Sequence, residues 1–288
     1  MKNIAILIKW RIALLSAVSA AAGALLAAPD AGWRLLWPLL GTYLLACGAG
    51  ALNQIQERDL DARMPRTQNR PLPSGAMTLR FAWLVVVAFL GAGLGLLALT
   101  GSVACVALGA VAVISYNAFY TPLKRITPWA PVIGSIVGAF APAIGWTGVG
   151  GEAGGPALVG LIAFFVVWQV PHFWLLFLRA EREYAAAGLP VLTDKLHPAS
   201  LKRITFVWIA AAVALGLLLP LLGAIHHVAA VVALAAVGMW LAWTARGILS
   251  ASIPAAPRAE RRAFAAINAF ATTLLAAIIF EQAWRPGL

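Results

Sequence analysis

Asn53, Glu57 and Asp61 stand four residues apart in the stretch ALNQIQERDLDARMPRTQNRPLPSG, residues 51–75. On a helix they fall about 40° from one another along one face, while Asp59 turns to about 240°, on the far side. Two carboxylates in successive turns repel each other, and both lose hydration at the edge of an apolar chain. A cation between them removes both costs. Carboxylate and amide oxygens suit Mg²⁺, which fills its remaining positions with water and phosphate oxygens. Arg58, Arg63, Arg66 and Arg70 follow directly, and a guanidinium grips phosphate through two parallel hydrogen bonds. Acids at helical spacing beside an arginine cluster point to a Mg²⁺–diphosphate site. The competing reading is a solvated loop whose charges neutralise one another. Against it, three of the ten acids of the whole chain sit here.

A second acidic stretch follows, WQVPHFWLLFLRAEREYAAAGLPVL, residues 168–192. It supplies Glu181 and Glu183. His172, Leu176, Arg179 and Glu183 share about 60° of one helix face, with His172 roughly 16 Å along the axis from Glu183. A histidine inside an apolar span either serves function or bonds a neighbouring helix, filling the gap that Pro171 leaves in the backbone ladder. Between the two acidic stretches, YTPLKR (residues 120–125) adds Tyr120, Lys124 and Arg125.

The elements that must position these residues are membrane helices. The chain is 62% hydrophobic and 11% charged over 288 residues, where a soluble domain carries roughly 25% charged residues. Uncharged segments near 12–28, 35–52, 81–100, 102–120, 129–147, 156–178, 204–225, 228–245 and 263–280 are each long enough for a bilayer core of about 30 Å. The fold class is an all-α polytopic membrane protein of nine helices, read as a single domain. With the N-terminus in the cytoplasm, every lysine and arginine except Arg34 and Arg285 falls on the cytoplasmic side, as basic loops usually do. The charge of +11 therefore sets topology, and nucleic acid is excluded as a partner. The start of the chain reads as a retained first helix rather than a signal peptide, because Lys9 and Arg11 push its apolar stretch inward. Cys47 and Cys105 lie inside apolar segments as packing residues. The second and sixth helices each run into an acidic loop on the same side, the pattern of two four-helix halves plus a ninth helix.

With NxxxExxxD on the second helix and an acidic cluster after the sixth, the chain resembles the UbiA superfamily of intramembrane prenyltransferases. Within it, ERDLDARMPRTQNRPLPSG, YTPLKRITP, VIGSIVGAFAPAIGW, WQVPHFW and EYAAAGLPVL resemble the protoheme IX farnesyltransferase (haem O synthase) family. The resemblance implies nine helices around a central cavity, farnesyl diphosphate and haem B as substrates, and haem O as product. It implies Mg²⁺ held by Asn53, Glu57 and Asp61, with Glu183, aided by Glu181, at a second metal site. Arg58, Arg66, Arg70, Tyr120, Lys124, Arg125, Arg179 and His172 would meet the substrates, His172 through haem iron or a propionate. It further implies an inner-membrane location and the cytochrome oxidase assembly machinery as a partner. The sequence departs from the family in carrying Glu57 and Glu183 where aspartate is usual, Trp10 where proline is usual, and a loop one residue shorter around Pro122.

Three other readings compete. A transporter would be expected to place its ionisable residues near the bilayer midplane, whereas these acids cluster at helix ends on one side. A CDP-alcohol transferase would carry a DxxDGxxAR-type signature, which is absent. Prenylation of 4-hydroxybenzoate or a naphthoate is the nearer rival, and WQVPHFW favours haem over it. The orientation predicts that, in a background lacking Cys47 and Cys105, cysteines at Ser74 and Ser200 are labelled from the cytoplasmic side. Those at Ser102 and Gly150 are labelled from the opposite side. One inverted position breaks the nine-helix topology.

Overall fold

The computed structural model describes residues 2–152, 154–250 and 257–283. Arg285 and the Arg179 side chain lie outside the described residues. Among the described residues nine long helices make up the fold: α1 Trp10–Ala27, α2 Leu36–Gln56, α3 Leu79–Ala98, α4 Val103–Ile114, α5 Ala130–Gly148, α6 Pro156–Ala186, α7 Pro198–Leu218, α8 Val228–Ser250 and α9 Pro257–Ala283. Helix α4 continues through a π-helical segment, Ser115–Tyr120, into a last turn, Thr121–Leu123. A short helix, Lys2–Leu7, precedes α1. Among the described residues, nine segments are long and apolar enough to cross a membrane. Leu84, Val87, Val103 and Trp243 stand exposed on the outside of the bundle, where lipid covers them.

Neighbouring helices pack in a closed ring. Helix α1 lies against α2 and α5, α5 against α6, and α6, α7, α8 and α9 follow in order, with α9 returning to both α6 and α1. The α6–α9 side is solid, with Leu161, Phe164, Phe270 and Leu274 fully buried in one cluster. The other side encloses a cavity of about 320 Å³, walled by α1, α2, α4, α5 and α6.

Several boundaries differ from the sequence reading. The shared face of Asn53, Glu57 and Asp61 predicts that helix α2 runs unbroken through residue 61. It ends at Gln56, bends at Glu57 (φ −99°, ψ 6°) and resumes as one turn, Arg58–Asp61. The bonds Glu57 N to Asn53 O (2.9 Å) and Asp61 N to Glu57 O (2.7 Å) persist across the bend, so the three residues remain stacked. Helix α7 starts at Pro198 rather than 204, because the His197 side chain accepts from Ala199 N and caps it. Lys202 and Arg203 ride on its first turns. Helix α9 likewise begins at Pro257, ahead of the expected 263, and carries Arg258, Glu260, Arg261 and Arg262 in its opening turns. In both cases charged turns extend an apolar span at its end.

The cavity wall depends on how closely α1 and α5 approach. A Cβ at position 145 would stand 1.8 Å from the Ala20 carbonyl oxygen. Without a hydrophobic driving force between helices in lipid, such backbone contact supplies much of the packing. Gly145→Val should therefore force α1 and α5 apart at a cost of about 3 kcal/mol, the upper end for overpacking. A lowered thermal midpoint in detergent checks this; an unchanged midpoint means that the two helices separate without penalty.

Candidate active site

Asn53 and Asp61 are almost fully buried, and Glu57 nearly so. Glu57 and Asp61 line the mouth of the cavity together with four basic residues, Lys9, Arg66, Arg70 and Lys124. Each of the three oxygen-bearing side chains is met by a cation from elsewhere in the chain. Lys9 Nζ donates to Asn53 Oδ1 (2.5 Å). Lys124, from the segment after α4, pairs with Glu57. Arg70 Nη1 bonds Asp61 Oδ2 at 2.7 Å. Burial alone would raise the Glu57 carboxyl; Lys124, then Lys9 and the Asn53 amide, hold it below its ordinary value. It therefore stands as an anion. Burial pushes the Lys9 ammonium down to about 8, with Glu57 and Asp61 resisting and Arg70 and Arg66 adding to the fall.

Local structure explains how these groups are aimed. Lys9 is the one non-glycine residue with positive φ (50°) among the described residues. That left-handed backbone costs about 1–2 kcal/mol, and it breaks the helix between Leu7 and Trp10. Gln54 Nε2 holds the break from α2, donating to the carbonyls of Ile6 (2.6 Å) and Leu7 (3.0 Å). Opposite, the π segment of α4 locks onto α2. Asn117 Nδ2 donates to Ala49 O (3.0 Å), and Gln56 Nε2 donates to Asn117 O (3.0 Å). Segments of this kind recur at functional sites because they re-aim side chains. Here Tyr116 and Tyr120 both reach the cavity, and the Tyr120 ring lies 5.0 Å from Lys124 Nζ.

The oxygen donors fit a divalent cation. Two carboxylates and an amide oxygen lie in successive turns, and too few protein ligands are present to saturate Mg²⁺, which leaves positions for water and phosphate oxygens. Among the described residues no group of three His, Cys, Asp or Glu stands close enough together to hold a metal ion by itself.

The expected second site is arranged differently. Glu181 accepts from Thr193 Oγ1 and lines a smaller pocket under the α6–α7 loop. Glu183 Oε2 is buried without a hydrogen-bond partner, yet Glu183 does not line the main cavity. Its neighbour Tyr184 does, and accepts from Arg66 Nη2 at 3.3 Å. Three further residues singled out in the sequence stand away from the cavity wall. Arg58 is exposed and paired with the still more exposed Asp59. Arg125 donates to the Gln56 carbonyl (2.7 Å); it caps the end of α2 instead of lining the cavity. His172 is absent from the cavity wall, which α6 builds from Gln169, Phe173, Leu176 and Phe177. Its ring packs between Trp168 (4.7 Å) and Phe264 of α9 (5.0 Å). One helical position, about 100°, separates it from Phe173.

Residues 14–280 match the UbiA prenyltransferase family. The chain belongs to this family. It is 41% identical over 280 residues to a protoheme IX farnesyltransferase of Geobacter sulfurreducens, covering 96% of this chain and 98% of the relative. It is 33% identical over 282 residues to a protoheme IX farnesyltransferase of Opitutus terrae, covering 96% and 93%. Among solved structures, a study of digeranylgeranylglyceryl phosphate synthase in membranes matches with TM-score 0.77 at 16% identity, over 98% of each chain. A UbiA homolog from Archaeoglobus fulgidus bound to GPP and Mg²⁺ matches with TM-score 0.68 at 17% identity, over 96% of this chain and 99% of that one. At such identities the structures establish the UbiA fold.

Two residues at the cavity of this UbiA family member escaped the sequence reading. Lys9 counted there only toward topology, since it is 44 residues from Asn53 and nothing local ties the two. Gln169 lay unremarked inside WQVPHFW, overshadowed by the charged groups. The packing of His172 against α9 carries its own expected outcome. His172→Leu should lower the thermal midpoint by loosening α6 from α9 while farnesyl diphosphate and haem B bind as in the wild type. Haem difference absorbance on the purified variant checks this, and loss of haem binding alone would put His172 back at the acceptor.

Proposed function

We propose that the chain transfers the farnesyl group of farnesyl diphosphate to a vinyl group of haem B, giving haem O and diphosphate, with Mg²⁺ as cofactor. One observation carries the reading: buried oxygen donors ringed by four basic side chains at the mouth of a cavity that is otherwise largely apolar. The four cations exceed the two anions among the residues lining the cavity, so the mouth attracts an anion such as a diphosphate. The acceptor follows from the full-length relatives, which are named protoheme IX farnesyltransferases.

The residues divide the work. Asn53, Glu57 and Asp61 would hold Mg²⁺, and Glu183, buried away from the cavity wall, would have to turn to join a second metal site. When bound, the ion withdraws charge from the leaving diphosphate. Lys9, Lys124 and Arg70 exchange their pairings with the site's amide and acids, and Arg66 its bond to Tyr184, for bonds to phosphate oxygens, and so stabilise the charge that builds as the C1–O bond breaks. Phe173, Leu176, Phe177, Val137 and Phe140 line the cavity below and keep bulk water from the allylic carbon until the acceptor attacks. The excess of lysine and arginine in the loops on one side supports a cytoplasmic mouth and N-terminus, in the inner membrane. The product then passes to the oxidase assembly machinery.

The test is the mass and absorbance of haem extracted from cells expressing the chain, with purified protein offered haem B or 4-hydroxybenzoate. Farnesylated haem supports the reading, and a prenylated benzoate alone would overturn it. Asp61→Asn should lower turnover roughly 10²–10³-fold, the scale of losing one preorganised charge-stabilising group. Glu57→Asp should stay active because it keeps the carboxylate. Asp59→Asn, facing outward, should remain within roughly twofold, since surface substitutions of this kind change little. Wild-type turnover in Asp61→Asn would sink the metal assignment.

A further inference from the structure

Gln169 is a polar side chain that the metal and diphosphate roles leave unused. It lies on the cavity wall, and its Oε1 is buried with no hydrogen-bond partner. The amide fits because residue 138 on α5 is glycine: a Cβ there would stand 2.0 Å from Gln169 Nε2. Its depth can be read along α6. Phe173, one turn nearer the mouth, has its ring 5.9 Å from that of Tyr120, and Tyr120 lies beneath Lys124, the partner of Glu57. Gln169 is therefore roughly 6 Å, one helical turn, below the level of Phe173 and Tyr120.

That level is where bond formation must occur. C1 of a prenyl diphosphate is joined to the group held by the charged layer, so the acceptor meets it just beneath. A buried carbonyl without a donor is unfavourable, so the amide gains by turning its oxygen into the cavity to accept from any O–H or N–H that enters. The farnesyl chain offers none, the ionised diphosphate offers none, and the pyrrole nitrogens of haem are occupied by iron. The donor that the reaction itself requires at this place is water.

We infer that Gln169 positions the water molecule that adds to the prenylated haem, an assignment that rests on the function proposed above. The C1–O bond breaks and its electron pair leaves with diphosphate. The vinyl π pair forms the new bond to C1, and the vinyl carbon attached to the ring becomes cationic. The water oxygen donates a lone pair to that carbon, and its surplus proton passes to the departed diphosphate. The Gln169 amide oxygen accepts the other O–H, aims the lone pair and takes no proton. Without a held water, the cation instead loses a proton from the adjacent carbon and leaves an alkene, a product lighter by one water.

The experiment uses the purified full chain with Mg²⁺, farnesyl diphosphate and haem B, and separates the hydroxylated from the dehydrated adduct by mass. Gln169→Leu should raise the ratio of dehydrated to hydroxylated product roughly tenfold, the factor for one lost hydrogen bond. Gln169→Glu, which keeps an acceptor oxygen, should restore the wild-type ratio. If the Leu variant does not accumulate, Gln169→Met serves in its place. A wild-type ratio in the apolar variant overturns the role of Gln169 while leaving the prenyl transfer intact. Failure of the wild type to farnesylate haem at all overturns the proposed function and this assignment with it.

Discussion

Charge at the edge of lipid is the constraint on which the rest of this structure depends. An uncompensated carboxylate at a helix end beside hydrocarbon is costly, and each oxygen-bearing group of the site is met by a cation from a different part of the chain. Lys9 arrives from the segment before α1, Lys124 from the end of α4 and Arg70 from the loop after α2. The contacts therefore do two things. They hold the Glu57 carboxyl below its ordinary value, and they fasten three segments around one mouth. A single turn of sequence cannot accomplish both, because cations on the same face as the acids would leave those segments untied.

The backbone accommodates this demand at three irregular places. Lys9 adopts a left-handed conformation, Glu57 bends the end of α2, and α4 widens into a π segment at Ser115–Tyr120. Each departure from ideal geometry lies at the mouth. The far side of the bundle, α6 to α9, is regular and filled with aliphatic and aromatic side chains. Strain and polarity thus concentrate where ligands would supply compensation, and the solid half provides the rigid wall against which α6 is held.

Helix α6 shows how narrow the margin is between structural and functional faces. Trp168, Gln169, His172 and Phe173 are near neighbours in sequence, yet Trp168 Nε1 donates to the Ile267 carbonyl of α9 (2.9 Å) while Gln169 faces the cavity. His172 follows Trp168, and Phe173 follows Gln169, each four residues on. The polar residue most conspicuous in sequence, a histidine within a span, belongs to the packing face. The less conspicuous amide belongs to the cavity.

The sequence by itself determined the class of the molecule: nine apolar spans, a strong bias in basic loops, and the stacking of Asn53, Glu57 and Asp61. These are properties of hydropathy and of the 3.6-residue period, both local, and the stack survives even the bend at Glu57 because its backbone bonds continue. Helix limits at Pro198 and Pro257 were harder to read, because charged turns can lengthen a span without a change in apolar content. What only the tertiary structure decided was which faces meet. That Lys9 reaches Asn53 across 44 residues, that Arg125 caps α2, and that His172 turns to α9 while Gln169 turns inward all follow from the rotation of whole helices about their axes. That rotation is set by close contacts such as Gly145 on Ala20, between segments far apart in the chain, and so is not encoded within any one stretch of it.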